Sequence, residues 1–350
     1  MGQKETDMKI LVTGGGGFLG FAIVRQLRLQ GHEMVSFSRH KYPYLDELGV
    51  FQHQGDLRDF DILKQAMKGC AAVFHVAAKV GMWGKFNDFF LINVKGTENV
   101  LKACRDQGIR YLVFTSSPSV VFDGKDSEGQ DESLPYPKRF TAFYPQTKAM
   151  AEQLIMDAND ASLKTVSLRP PLIWGPGDQR LLPRLIETAK KGKLRIIGDG
   201  SNKVDCIFIE NAAKAHTKVL EQMIKDPSPI EGKVYFISQG NPIPMAELIN
   251  KLLATHGLSP VSNRLSPVIA QFVGRVLETI YRFLGKSSEP IITLFLAQQL
   301  SAAHWYDISA AKRDFGYEAE VSIEEGMGQL KDWLSRLKGE KNKTKSRRNL

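Results

Sequence analysis

Along the chain, short apolar runs rich in β-branched residues take turns with longer stretches whose apolar positions recur every three or four residues. The first pattern marks buried strands and the second marks helices. Strands are predicted at residues 9–13, 33–37, 50–54, 71–76, 110–115 and 164–168, and helices at 18–30, 59–68, 88–107 and 144–159. Gly31 and Gly108 follow two of those helices, as expected of terminators. Alternation of strand and helix predicts an α/β fold, a doubly wound parallel sheet with helices on both faces. In such a sheet, ligands bind beyond the carboxyl ends of the strands.

The second half is less regular. Residues 181–191 and 210–223 read as helices, 194–197 as a short strand, and 233–238 as a late strand returning to the sheet. From residue 244 the pattern is mostly helical. Residues 268–284 carry apolar pairs near every fourth position: Val268-Ile269, Phe272-Val273, Val276-Leu277 and Ile280-Tyr281. Gln271, Arg275, Glu278 and Arg282 fall on the other face. The plain reading is an amphipathic helix that closes the core. A sharper one makes this helix, the apolar run 291–296 and the Met82-Trp83 loop a lid over an elongated apolar pocket. The charges argue against a membrane span, while a position along an interface stays open.

At 350 residues the chain can form one large core or two joined ones. It has no apolar run long enough to span a bilayer and no signal-peptide pattern, so a cytoplasmic protein is expected. Cys70, Cys104 and Cys206 lie far apart in apolar surroundings, as reduced buried thiols do. From Lys338 onward, six Lys or Arg against one Glu contribute +5; subtracting that from the net +9 leaves +4 for the body. The basic stretch 338–350 reads as a solvated, disordered tail, with attraction to an acidic membrane surface or partner as the alternative. Nothing points to nucleic acid, and the histidines show no metal-ligand spacing.

The first candidate chemistry is a glycine loop between the first strand and helix. Gly14 allows the tight turn, Gly17 leaves room for a pyrophosphate, and Gly20 lets the helix pack closely. The helix N-terminus beyond it favours phosphate. The spacing is G-x-x-G-x-x-G, and the flanking strand and helix make it a dinucleotide-binding signal. A second constellation is Ser117, Tyr144 and Lys148, each at or just after a predicted strand end. Tyr144 and Lys148 are four apart on a helix and share a face. A neighbouring ammonium is expected to lower the phenol pKa and make it an acid or base near neutral pH. The alternative is an accidental Tyr-x-x-x-Lys pair.

Several motifs together resemble the extended short-chain dehydrogenases/reductases, in their 3β-hydroxysteroid dehydrogenase-like branch. They are Thr13-Gly14-Gly15-Gly16-Gly17-Phe18-Leu19-Gly20, His75-Val76-Ala77-Ala78, Asn93-Val94-Lys95-Gly96-Thr97, Thr115-Ser116-Ser117, Tyr144-Pro145-Gln146-Thr147-Lys148 and Leu168-Arg169-Pro170. The resemblance spans residues 8–334. More narrowly, Ala78 to Gly84, Leu172 to Asp178, Gly198 to Asn202 and His304-Trp305-Tyr306 resemble bacterial reductases of 2-alkyl-3-oxoalkanoates in long-chain olefin biosynthesis.

That resemblance implies roles. Tyr144 would donate a proton to the carbonyl oxygen, and Lys148 would lower its pKa and hold the nicotinamide ribose. Ser117 would bind the substrate oxygen, with Ser116 one residue away as the alternative. Asn93 would support a proton relay, or simply a packing contact. Phe18, Leu19 and Thr115 would join the glycines around the cofactor. Asp56 and Leu57 would border the adenine. Ala77, Ala78 and Lys79 would line the pyrophosphate and ribose path, and Pro170, Leu172 and Ile173 the nicotinamide. Met82, Trp83 and Ser117 would meet the substrate.

Where NAD-preferring members carry an acidic residue, this chain has Ser38-Arg39. Arg39 can bind a 2′-phosphate and no carboxylate repels one, so NADP(H) is expected, with NAD(H) as the second option. The implied activity is NADPH-dependent reduction of a 2-alkyl-3-oxoalkanoate, a β-keto acid with long alkyl chains. The alternative is an NAD(P)-dependent 3β-hydroxysteroid or sterol dehydrogenase. A Rossmann-type NADP-binding domain is expected at 8–177 and 205–240, a smaller, mostly helical substrate-binding part at 178–204 and 241–335. Expected partners are an apolar small-molecule substrate and a second copy in a homodimer; peripheral contact with a membrane or multi-enzyme assembly is left open.

Overall fold

The apolar runs of the first half all enter one sheet. The computed structural model describes residues 7–348, with side chains as far as Lys338. Its main strands are β1 (Lys9–Thr13), β2 (Glu33–Ser38), β3 (Phe51–Gln54), β4 (Ala72–His75), β5 (Tyr111–Thr115), β6 (Lys164–Arg169) and β7 (Lys233–Phe236). They pair in the order β3-β2-β1-β4-β5-β6-β7, every pair parallel. This is a Rossmann-type doubly wound sheet. The order reverses between β1 and β4, which places the ligand crevice above their carboxyl ends.

Alternation along the strands fills both faces. Ile10 and Val12 of β1 pack into one apolar layer with Ile23 and Leu27 from helix Phe18–Leu29. Leu11 points into the other layer, with Leu63, Val100 and Ile155 from helices Phe60–Ala66, Gly96–Asp106 and Phe143–Asp157. All three cysteines are free and buried.

Three regions depart from the sequence reading. The helix expected at 88–107 is broken into Phe86–Phe89, a π-helical turn Phe90–Lys95, and Gly96–Asp106. The stretch after Ser117, for which no element is predicted before residue 144, contains a strand, Ser127–Gln130, that pairs with His304–Tyr306. Its partner lies far along the chain, so no local pattern marks it.

The third departure is a correction. Helix Pro267–Phe283 does not close the core with its apolar pairs. Its buried residues are Ala270, Gly274 and Glu278, while Val268 is 76% exposed, Phe272 67% and Phe283 91%. A Cβ on Gly274 would lie 2.7 Å from the Thr293 carbonyl carbon, and Glu278 Oε1 accepts the Leu294 N–H at 2.8 Å. Small residues let this helix rest on the start of helix Leu294–Ser301, and Glu278 caps that start. Val268, Ile269, Phe272, Val276, Ile280 and Phe283 are left outside, while Val273, Leu277 and Tyr281 are half-buried. The Trp83 loop does reach the helix end: Trp83 Nε1 donates to Lys286 O at 3.0 Å, and its ring meets Tyr281 edge-on.

The last helix, Ile323–Arg348, carries its backbone into the stretch read as a disordered tail; residues 349–350 and the side chains from 339 on lie outside the description. No helix among the described residues is long and apolar enough to cross a membrane.

Candidate active site

The glycine loop opens at the end of β1. Gly14 has φ +71°, and its N–H donates to Phe37 O at 2.7 Å. A Cβ on Gly20 would stand 2.1 Å from Gly14 O, so the first helical turn packs directly on the loop. Gly17 is different. It is exposed, it is the helix N-cap, and no side chain caps that end. The first turn holds no acidic residue, and a Cβ on Gly17 would meet only Gly14 O at 3.2 Å. Uncapped N–H groups at a dipole's positive end form a cradle that suits a pyrophosphate. Phe18 is half-buried beside the loop, whereas Leu19 lies in the core and offers a ligand only its backbone.

Beside the loop, Ser38 Oγ lies 3.5 Å from the Gly16 N–H, and Arg39 is exposed. Arg58 pairs with Asp56 through Nε–Oδ1 at 2.8 Å and Nη2–Oδ2 at 3.0 Å. That pairing holds the Asp56 carboxyl below its ordinary range, and Arg39 adds to the effect. Two guanidinium groups therefore flank the end of β2, of which the sequence reading named only Arg39. Tyr42 and Tyr44 were also missed. The Tyr42 ring fills the space a Cβ on Gly16 would need, and Tyr44 OH donates to Gly16 O at 2.5 Å. Leu57 is buried against Gly96, so it too presents backbone rather than side chain.

A chain of hydrogen bonds links this loop to the second constellation. Thr13 Oγ1 accepts the N–H groups of Val76 and Ala77, both at 3.1 Å. Its own proton therefore goes to His75 Nδ1 at 2.9 Å. His75 Nε2 then carries the hydrogen and donates to Thr97 Oγ1 at 2.9 Å, and Thr97 donates to Asn93 O at 2.6 Å. Burial pushes the His75 imidazole down to about 3, which keeps it neutral. Asn93 sits in the π-helical turn. Its Oδ1 accepts the Lys79 N–H at 2.7 Å, and its Nδ2 donates to Lys79 O and Thr147 Oγ1, both at 3.0 Å. This is the geometry of a clamp between the 77–79 segment and the start of the Tyr144 helix. Ala77 itself lies against Gly14.

Ser117, Tyr144 and Lys148 come together at the end of β5. Ser117 lies beside the Tyr144 phenol, and its Oγ hydrogen-bonds Ser119 Oγ at 2.9 Å. Ser116 Oγ is buried without a protein partner, so of the two serines it is Ser117 that faces the phenol. The expected fall in the tyrosine pKa is not what the structure gives. Burial pushes Tyr144 up to about 12, against the pull of Ser117 and of Arg180. Lys148 does not aim at the phenol. Its Nζ donates to Thr115 O at 2.6 Å and lies 3.8 Å from the Phe114 ring centroid. Burial pushes Lys148 down to about 7, with Glu152 opposing the shift. Glu152 is itself held by Arg169 Nη2 at 2.6 Å and Tyr136 OH at 2.8 Å.

The surroundings of Met82 are apolar. Met82 packs with Phe122, Phe295, Ala302 and Ala142, a cluster built on the segments that carry Ser117 and Tyr144. Trp83 instead faces the end of helix Pro267–Phe283. Past β6, Pro170 is buried, and Leu172 and Ile173 lie in the short strand Leu172–Trp174, paired with Cys206–Phe208.

Known proteins are similar to this chain in sequence and fold. The sequence profile of the 3-beta hydroxysteroid dehydrogenase/isomerase family matches residues 11–266. A 2-alkyl-3-oxoalkanoate reductase from Shewanella oneidensis is 49% identical over 91% of this chain and 84% of its own length. One of the same name from Stenotrophomonas maltophilia is 50% identical over 93% of this chain and 98% of its own. Among solved structures, MoeE5 in complex with UDP-glucuronic acid and NAD superposes with a TM-score of 0.71 at 25% identity, covering 94% of this chain and 99% of that one.

Proposed function

The chain is an oxidoreductase of the 3-beta hydroxysteroid dehydrogenase/isomerase family, and on that premise we propose that it reduces a 2-alkyl-3-oxoalkanoate to the 3-hydroxy acid with NADPH. One observation carries the reading. Ser117 and Tyr144 lie together, a few residues along the chain from Phe122 and Ala142, which pack with Met82 and Phe295, in a chain half identical to two reductases of that name.

When bound, a reduced nicotinamide supplies the hydride. The Gly17 cradle would hold the pyrophosphate, Lys148 the nicotinamide ribose, and Pro170, Leu172 and Ile173 the nicotinamide side. Arg39, with Ser38 and Arg58, supports the choice of NADPH: two cations near the end of β2 suit a 2′-phosphate. Ser117 would hold the 3-oxo oxygen against the Tyr144 phenol. A phenol pushed up to about 12 is protonated at neutral pH, the state that reduction needs, because the new alkoxide must receive a proton. Asn93 keeps the start of the Tyr144 helix fixed relative to the 77–79 segment.

The test is a panel of 2-alkyl-3-oxo acids and steroid ketones with NADPH and NADH, following loss of the reduced nicotinamide. Each buried methylene is worth about 0.8 kcal/mol, so kcat/KM should rise with alkyl length over several carbons. A flat dependence on chain length, with strong turnover of 3β-hydroxysteroids in reverse, would replace this reading by the steroid dehydrogenase activity in the family's name.

A further inference from the structure

We propose that the outward face of helix Pro267–Phe283 docks on the surface of a bilayer containing anionic lipid. The 17-residue helix is about 25 Å long. Val268, Ile269, Phe272, Val276, Ile280 and Phe283 fall within one sector of it, and each is exposed. Leu284 and Ile291 extend the same exposed apolar surface past the helix end. The opposite sector is fixed inside the protein by Ala270, Gly274 and Glu278. Rotating the helix to hide the stripe would break the Glu278 cap and drive side chains into Thr293, so the exposure is built into the packing.

Charge identifies the partner. Arg275 and Arg282 border the stripe on one side, Arg264 lies before its start, and Lys286 lies after its end; all four are exposed. The two carboxylates of residues 262–292 do not balance all four: Glu278 meets Arg282 at 3.8 Å, which leaves Arg264, Arg275 and Lys286 without an acid from this stretch. Glu278 is buried against Leu294, and Glu289 is paired with Arg184 at 2.6 Å. Against a second copy, Arg264, Arg275 and Lys286 would meet their own kind with no free acid of this stretch to answer them. Against a lipid surface, the apolar stripe enters the acyl boundary while the guanidinium and ammonium groups stay at headgroup phosphates. Trp83, braced on Lys286 O and Tyr281, adds an interfacial aromatic at the same end.

The docking claim stands apart from the substrate assignment, because it is read by binding rather than turnover. The full chain would be sedimented with vesicles of phosphatidylcholine mixed with phosphatidylglycerol, and with vesicles of phosphatidylcholine alone. Wild type should co-sediment with the anionic vesicles and more weakly with the neutral ones. The double variant Phe272→Asp, Phe283→Asp should partition about tenfold less or worse, with its melting curve and turnover of a short ketone unchanged. Absence of wild-type binding would overturn the proposal. So would unchanged binding by the double variant, which would assign the attraction to the basic tail. A wild-type dimer that the double variant splits, without vesicle binding, would assign the face to a second copy instead.

Discussion

Helices Phe18–Leu29 and Pro267–Phe283 carry the same kind of amphipathic signal, yet they face opposite ways. The first buries Leu19, Ile23 and Leu27 against the sheet. The second buries Ala270, Gly274 and Glu278 and turns Phe272 and Phe283 outward. Periodicity states which residues share a face. Where that face points depends on what space the neighbours leave. Opposite the first helix lies a flat sheet with large apolar side chains to meet. Opposite the second lies the backbone of residues 293–294, close enough that only small residues fit.

The sharpest contrast is in stability. Glu152→Ala leaves the Arg169 guanidinium buried without its partner, and should cost roughly 3–5 kcal/mol in chemical denaturation. Arg275→Ala, on the exposed face, should change stability by less than about 0.5 kcal/mol. Next, Leu27→Ala should cost about 2–5 kcal/mol, whereas Phe272→Ala should stay within about 0.5 kcal/mol. Similar losses for Leu27 and Phe272 would break the comparison, since they would mean that Phe272 is covered within the folded chain.

A smaller effect separates the two regions by pH. Lys148, beneath the site, has a folded pKa of about 7 against an ordinary 10.5. Between those values the unfolded chain binds the extra proton, so stability should rise with pH across that window. Below about 7 both states hold the proton and the contribution is flat. The slope is at most roughly 1.4 kcal/mol per pH unit for one group. Lys148→Met should remove this rise; a stability profile identical to wild type would show that burial does not depress the lysine. The smallest predicted effect is a change of preference. Arg39→Asp should weaken NADPH about tenfold or more relative to NADH, and an unaltered ratio of the two dissociation constants would dismiss Arg39 from cofactor choice.

Much of the nucleotide half was legible because its determinants are local. β1 runs over the predicted residues, Gly14 turns with positive φ as its place in the loop requires, and Ser117 and Tyr144 meet at a strand end. What escaped was set by contacts between distant segments. Arg58 reaches the end of β2 through the fold, and the His75 tautomer depends on counting the bonds that Thr13 accepts. The Tyr144 pKa went the wrong way for a related reason. The i, i+4 spacing suggested a nearby ammonium, but burial outweighs it and Lys148 turns to Thr115 O. The direction of helix Pro267–Phe283 was hidden in its Ala270 and Gly274, whose spacing looks unremarkable until residues 293–294 are laid across it.

The central claim is that Tyr144 gives its proton to a substrate oxygen held by Ser117. Its most direct test is turnover of a 2-alkyl-3-oxo acid by Tyr144→Phe, with NADPH affinity measured alongside. The account predicts a rate lower by about a hundredfold or more, with cofactor affinity nearly unchanged. Near-normal turnover by the phenylalanine variant would contradict it.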